Sequence, residues 1–183
     1  MEQNAEPVAL KNHVIKWGLI VGGVSITLTV LLYVIDYTLM VQLKTLFVML
    51  LIYLGITIYA GIDYRNNIGG FLPYGKAFVH GFLVLAVSAL VATLFSMVLY
   101  NVIDPDLPQN LTDASLENTR EMMEKFGAPE EAIDQAIEDA KGRTANQFTI
   151  TGQLIGYASI LFFSAIMALI SAIFVKKNPP VEL

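Results

Sequence analysis

"WGLIVGGVSITLTVLLYVI", Trp17 to Ile35, is a nineteen-residue run without one charged side chain. At about 1.5 Å of rise per helical residue, such a run nearly crosses a hydrocarbon core of about 30 Å. A helix on the surface of a soluble domain would carry a polar stripe, and this one has none. Lys11 and Lys16 supply a basic flank of the kind that precedes a secretory signal. The apolar run is too long for a signal's h-region, and "YVIDYTLM" at its end offers no small-x-small cleavage site. The stretch therefore reads as a retained membrane span, and the other apolar segments follow from it.

Three further runs have the same character, which predicts spans at about 14–35, 45–62, 77–103 and 148–175. The expected fold class is all-α: a polytopic membrane four-helix bundle, with residues 1–183 forming a single membrane domain. Composition agrees, at 55% hydrophobic, 15% charged and a mean hydropathy of +0.60. A soluble domain needs more charge to cover its surface. The formal charge of −5 argues against a nucleic-acid partner. No cysteine is present, which removes disulfides and thiolate chemistry, and two histidines, His13 and His80, leave little material for a histidine-based metal site. The lipid bilayer is the partner this composition demands.

Lys11, Lys16, Arg65, Lys76, Lys176 and Lys177 would share one side of a four-span protein. Lys44, Lys141 and Arg143 flank the spans on the other. The positive-inside rule then places both termini in the cytoplasm and residues 104–147 on the outer side. That segment carries eleven acidic residues against four basic ones, a net −7, so the rest of the chain is slightly positive.

Within the acidic segment, "DPDLPQN" reads as an extended, proline-punctuated turn. A helix is expected from about Ala114 to Phe126, stopped by Gly127, and a second from Pro129 to about Gly142. Leu116, Met123 and Phe126 on the first, and Ile133 and Ile137 on the second, recur near helical spacing as facing packing stripes. A hairpin this small is marginal alone, so it must lean on the bundle, a second copy or a partner.

Candidate chemistry is sparse. His80, about one turn inside the third span, is an ionisable group in a membrane helix and thus a functional candidate. A structural role at the interface weighs more than proton handling, because a polar group there is cheap to satisfy. Asn101 and Gln153 lie near the outer span ends and suit interhelical hydrogen bonds or, less readily, a polar lining. Asp104-Pro105-Asp106 with Asp113 fails as an EF-hand loop, since Gln109 and Ser115 replace the required glycine and glutamate. Asp36 and Asp63 sit at span ends, where a solvated carboxylate is ordinary. Asn110-Leu111-Thr112 is a glycosylation sequon, relevant only in a glycosylating pathway. No nucleophile elbow, zinc-protease helix or phosphate loop occurs, so no catalytic residue, cofactor or metal ligand is assigned. Gly18-x3-Gly22, Ser88-x3-Ala92-x3-Ser96, Gly152-x3-Gly156 and Ser164-x3-Ala168-x3-Ala172 are stripes that permit close helix approach.

"NNIGGFLPYGKAFVHGF" (Asn66 to Phe82), "LYNVIDPDL" after the third span and "MMEKFGAPEEAIDQAIE" occur in an order that resembles the bacterial membrane family called domain of unknown function 4199. The resemblance implies four spans, a helical insertion before the last, and a Bacteroidetes-type bacterial inner membrane. It implies no activity and no catalytic residues. Two functions are then expected. The first is a non-enzymatic interaction or accessory protein whose acidic hairpin docks a partner or makes a homo-oligomer. The alternative is a small oligomeric transporter with His80, Asn101 and Gln153 lining a polar path.

Overall fold

The computed structural model describes residues 9–180. The chain ends, 1–8 and 181–183, which the expected single domain includes, lie outside the described residues. Six α-helices follow in order: α1 (Leu10–Asp36), α2 (Leu43–Asn67), α3 (Tyr74–Val98), α4 (Leu107–Lys125), α5 (Glu130–Asn146) and α6 (Ile150–Val175). A 3-10 turn at Tyr37–Val41 extends α1, and a π turn at Leu99–Ile103 extends α3. Among the described residues there is no strand, only an isolated antiparallel bridge between Leu72 and Lys177. The protein is all-α and polytopic. Four segments, Leu10–Val41, Leu43–Asn67, Tyr74–Ile103 and Ile150–Val175, are long and apolar enough to cross a membrane. Large apolar side chains such as Leu19, Leu51, Phe162 and Phe174 lie exposed along them. Lipid explains that exposure; water does not.

The chain divides into two compact units. Among the described residues, the first takes those up to 25, then 50–91, then those from 159 on, hence portions of α1, α2, α3 and α6. Its seams are made by small residues. A Cβ on Gly18 or Gly22 would press into Val87 or Val91 of α3, and one on Gly61 into Val175 of α6. Ala168 and Ala172 are fully buried. Of the stripes read from sequence, Gly18-x3-Gly22 and Ser164-x3-Ala168-x3-Ala172 are packing seams of this unit. Gly69 and Gly70, at φ of +99° and +83°, make the turn from α2 to α3, and the Gly70 N–H closes back on the Arg65 carbonyl.

The second unit takes 26–49 and 92–158. Its core is Leu99, Leu107 and Leu111, packed by Tyr33, Met40, Val41, Phe95, Tyr100 and Phe148. Here α4 starts at Leu107, seven residues before the expected Ala114. Pro108 permits this, because the first helical turn leaves its N–H groups unpaired anyway. Asp104 completes the start by accepting the backbone N–H groups of Asp106 and Leu107, while its other oxygen accepts from the Tyr33 hydroxyl. Asp104-Pro105-Asp106 is thus a turn and helix cap.

Gly127, at φ +75°, ends α4 where the sequence places the stop. Pro129 is the residue flanking α5, with extended backbone, and α5 begins one residue later than expected. It also runs through Gly142 to Asn146. A single glycine costs a helix about 1 kcal/mol relative to alanine, too little to end one whose following residues still close their bonds. Gly156 has open space around it, and Gly152 is needed locally, because a Cβ there would run into the Asn146 carbonyl.

Candidate functional site

The chemistry of the first unit gathers where α1, α2 and α3 meet. Extending α1 back to Leu10 brings His13 inside the helix, on the same face as Val14, Trp17 and Gly18. Lys11 and Lys16 stay exposed on the other side. His13 Nδ1 lies 2.9 Å from His80 Nε2, and His13 Nε2 lies 3.1 Å from Asp63 Oδ2. Trp17 Nε1 donates to the same carboxylate oxygen at 3.0 Å, and the Asn67 amide reaches Asp63 Oδ1 at 3.3 Å. Tyr64 stacks flat on His80, with ring centroids 4.8 Å apart, and stands 5.0 Å from His13. Both histidines are buried, His80 completely, whereas the Asp63 side chain is 35% exposed. The cluster is therefore a line of hydrogen bonds from a half-exposed carboxylate to a fully enclosed imidazole.

The donor inventory sets the hydrogens along that line. Indole and amide N–H groups can only donate, so both oxygens of Asp63 accept, the pattern of an ionised carboxylate. His13 must then carry its hydrogen on Nε2 to donate to Asp63. In the neutral ring that leaves Nδ1 as an acceptor, so His80 Nε2–H donates to it. The remaining nitrogen, His80 Nδ1, is the bare one, and it meets no hydrogen-bonding group among the described residues. Two imidazolium ions with centroids 5.0 Å apart would repel by about 3 kcal/mol at an effective dielectric constant of about 20. The pair accommodates one positive charge and resists two.

The other polar residues nominated from sequence belong to the second unit. Asn101 is exposed and bonds back to the Met97 carbonyl at 2.7 Å. Gln153 is buried and donates to the Phe148 carbonyl at 3.0 Å, while its Oε1 has no partner among the described residues. Both amides satisfy a donor within their own segment. On the hairpin, Ile133 is buried, and Leu116, Met123 and Ile137 are half-buried. Phe126 departs from the expected packing face: it is 85% exposed, because it sits beyond the last turn of α4, where the chain reverses. Arg120 reaches across to Glu130 and Asp134 at 3.2 and 2.7 Å. The Asp134 carboxylate, with Glu130 beside it, raises the Arg120 pKa above its ordinary value.

A family described as Protein of unknown function (DUF4199) matches residues 16–177. The chain belongs to that family. No curated protein and no solved structure matches it. The DUF4199 match covers Trp17, Asp63, Tyr64 and His80, and begins just past His13. Sequence reasoning reaches only His80 of this cluster. In sequence, His13 lies within the basic flank and Asp63 among the solvated span ends; their pairing joins positions 50 residues apart. A cue is present in Asp63-Tyr64 and His13-x3-Trp17, acid and aromatic groups at the ends of neighbouring spans.

Proposed function

We propose that this DUF4199 protein is a non-enzymatic accessory protein of a bacterial cytoplasmic membrane. Both termini are cytoplasmic, 104–147 lies on the outer side, and the α4–α5 hairpin docks a partner that presents a basic surface. The orientation is supported by the six lysines and arginines that flank the spans on one side. The docking reading is carried by one observation: Phe126, a large aromatic, is 85% exposed at the hairpin tip, with half-exposed Met122 beside it. Exposed Glu124 and Glu131 flank that tip, while Glu121 and Glu130 are paired with Lys125 and Arg120. An apolar anchor within an acidic rim suits a basic partner with a hydrophobic pocket. A second copy of the chain would bring the same negative hairpin and be repelled.

The test is photo-crosslinking from position 126 of the full chain in its native membrane. The expected result is an adduct with a different protein that is lost in high salt and when Glu130 and Glu131 are changed to lysine. Only self-adducts, or none, would overturn the reading. Transport is a second reading, favoured by the ionisable His13–His80 pair within the spans.

A further inference from the structure

The geometry points to a one-proton binding site formed by His13 and His80 and anchored by Asp63, and we propose that the bound proton shifts the hydrogen of His80 from Nε2 to Nδ1. The resting arrangement is set by the hydrogen bonds of the cluster. His13 Nε2–H donates to the Asp63 carboxylate, His80 Nε2–H donates to His13 Nδ1, and His80 Nδ1 bears a lone pair. In the bound state the added proton, supplied by solvent, forms an N–H bond at His80 Nδ1, and because that atom is fully enclosed the cluster must open for it to arrive. As it does so, the His80 Nε2–H bond breaks and a His13 Nδ1–H bond forms. His80 is left neutral with its hydrogen on Nδ1, and the positive charge rests on His13 against the negative charge of Asp63. One proton enters, none leaves, and no electron moves.

The neighbouring charges favour this end state, against the cost of a buried His80 Nδ1–H that meets no acceptor among the described residues. Asp63, on α2, faces the charged ring directly at 3.1 Å. Trp17, one turn along α1 from His13, holds the same carboxylate oxygen in place. Lys16 is the cation on α1 nearest the site and stays exposed, as do Lys11 and Lys76. Arg65, also on α2, is turned away, its guanidinium donating to the Val175 carbonyl. Tyr64 covers both rings and contributes a π face to them. Among the described residues, the part of α6 in this unit brings no titratable side chain here; its buried positions are Ser164, Ala168, Ser171, Ala172 and Val175. The site therefore has a single fixed counter-charge for a single bound proton. A second proton would place two imidazolium ions side by side with only that one carboxylate.

Because occupancy exchanges a lone pair for an N–H at the buried end of the line, the hydrogen-bonding face that His80 turns to the interior of this unit inverts. A proton bound next to the half-exposed carboxylate is thereby converted into a change of donor and acceptor at a fully enclosed position.

The test is nitrogen-15 spectroscopy of the full chain, labelled at its two histidines, in lipid bilayers from about pH 8 to about pH 4, a range spanning ordinary histidine titration. Through-space correlations to Trp17 and Tyr64 assign the rings without any substitution. At high pH both rings should be neutral with hydrogen on Nε2. On acidification one proton should bind per chain, His13 becoming doubly protonated as the His80 hydrogen moves to Nδ1. Asp63→Asn, which preserves shape, should weaken proton binding at least about tenfold. Two protons bound independently, His80 charged while His13 stays neutral, or no change of tautomer at either ring would each overturn the proposal.

Discussion

At the scale of single residues, the cluster around His13 is held by directional bonds more than by bulk. Trp17 and Asp63 are 46 positions apart, and His13 and His80 are 67 apart. Trp17→Phe keeps most of the ring but removes the donor to Asp63, and is expected to cost about 1 kcal/mol of unfolding free energy in detergent. Tyr64→Ala opens a cavity over both imidazoles, with an expected cost of about 3 kcal/mol in the same measurement. Trp17 is the only tryptophan in the chain, and its ring centroid lies 6.3 Å from that of His13. Imidazolium quenches indole emission more strongly than neutral imidazole. Fluorescence should therefore fall on acidification in the native chain and stay level in His13→Gln. His80 was legible from sequence because an ionisable group in an apolar run stands out against its background. His13 and Asp63 were not, because each lies at a span end, where hydration makes a polar side chain cheap and so uninformative.

Among elements, the α1–α3 seam and the hairpin behave differently. A Cβ on Gly18 would stand 2.5 Å from Val87 Cγ1, and one on Gly22 would stand 2.8 Å from Val91. Gly18→Ala and Gly22→Ala are expected to destabilise by about 1–3 kcal/mol, since the overpacking exceeds the gain in helix propensity. Gly23→Ala, on the same helix but with nothing within 4 Å of its new Cβ, should be neutral or stabilising by up to about 1 kcal/mol. This contrast is read by detergent unfolding of the three variants. On the hairpin, Ile133→Ala should cost about 2–4 kcal/mol, seen as earlier proteolysis within 107–146. Arg120 contributes less, through exposed ion pairs that salt weakens. Because pairing raises the Arg120 pKa, its contribution is present at neutral pH and is lost only in strongly alkaline solution. The hairpin's joint was legible because Gly127 and Pro129 act locally. The start of α4 was not, because Pro105 and Pro108 suggest an extended turn until Leu107 and Leu111 are seen buried in a core made by distant segments.

For the whole molecule, four spans follow from a periodic absence of polar residues, a signal that needs no tertiary knowledge. Helix ends were less legible, since apolar composition marks where hydrocarbon is tolerated and not where hydrogen bonding stops; α1 and α2 both extend beyond the apolar runs, to Leu10 and Asn67. The DUF4199 match runs over residues 16–177 of that architecture, and the proposed orientation makes the α2–α3 turn cytoplasmic and the α4–α5 hairpin external. The chain has no cysteine, so single introduced thiols report without background. The decisive measurement is labelling of Asn66→Cys and Phe126→Cys in intact cells with a membrane-impermeant thiol reagent. Labelling at 126 in intact cells, and at 66 only after permeabilisation, is the predicted result. Labelling of both without permeabilisation, or of 66 alone, would contradict it.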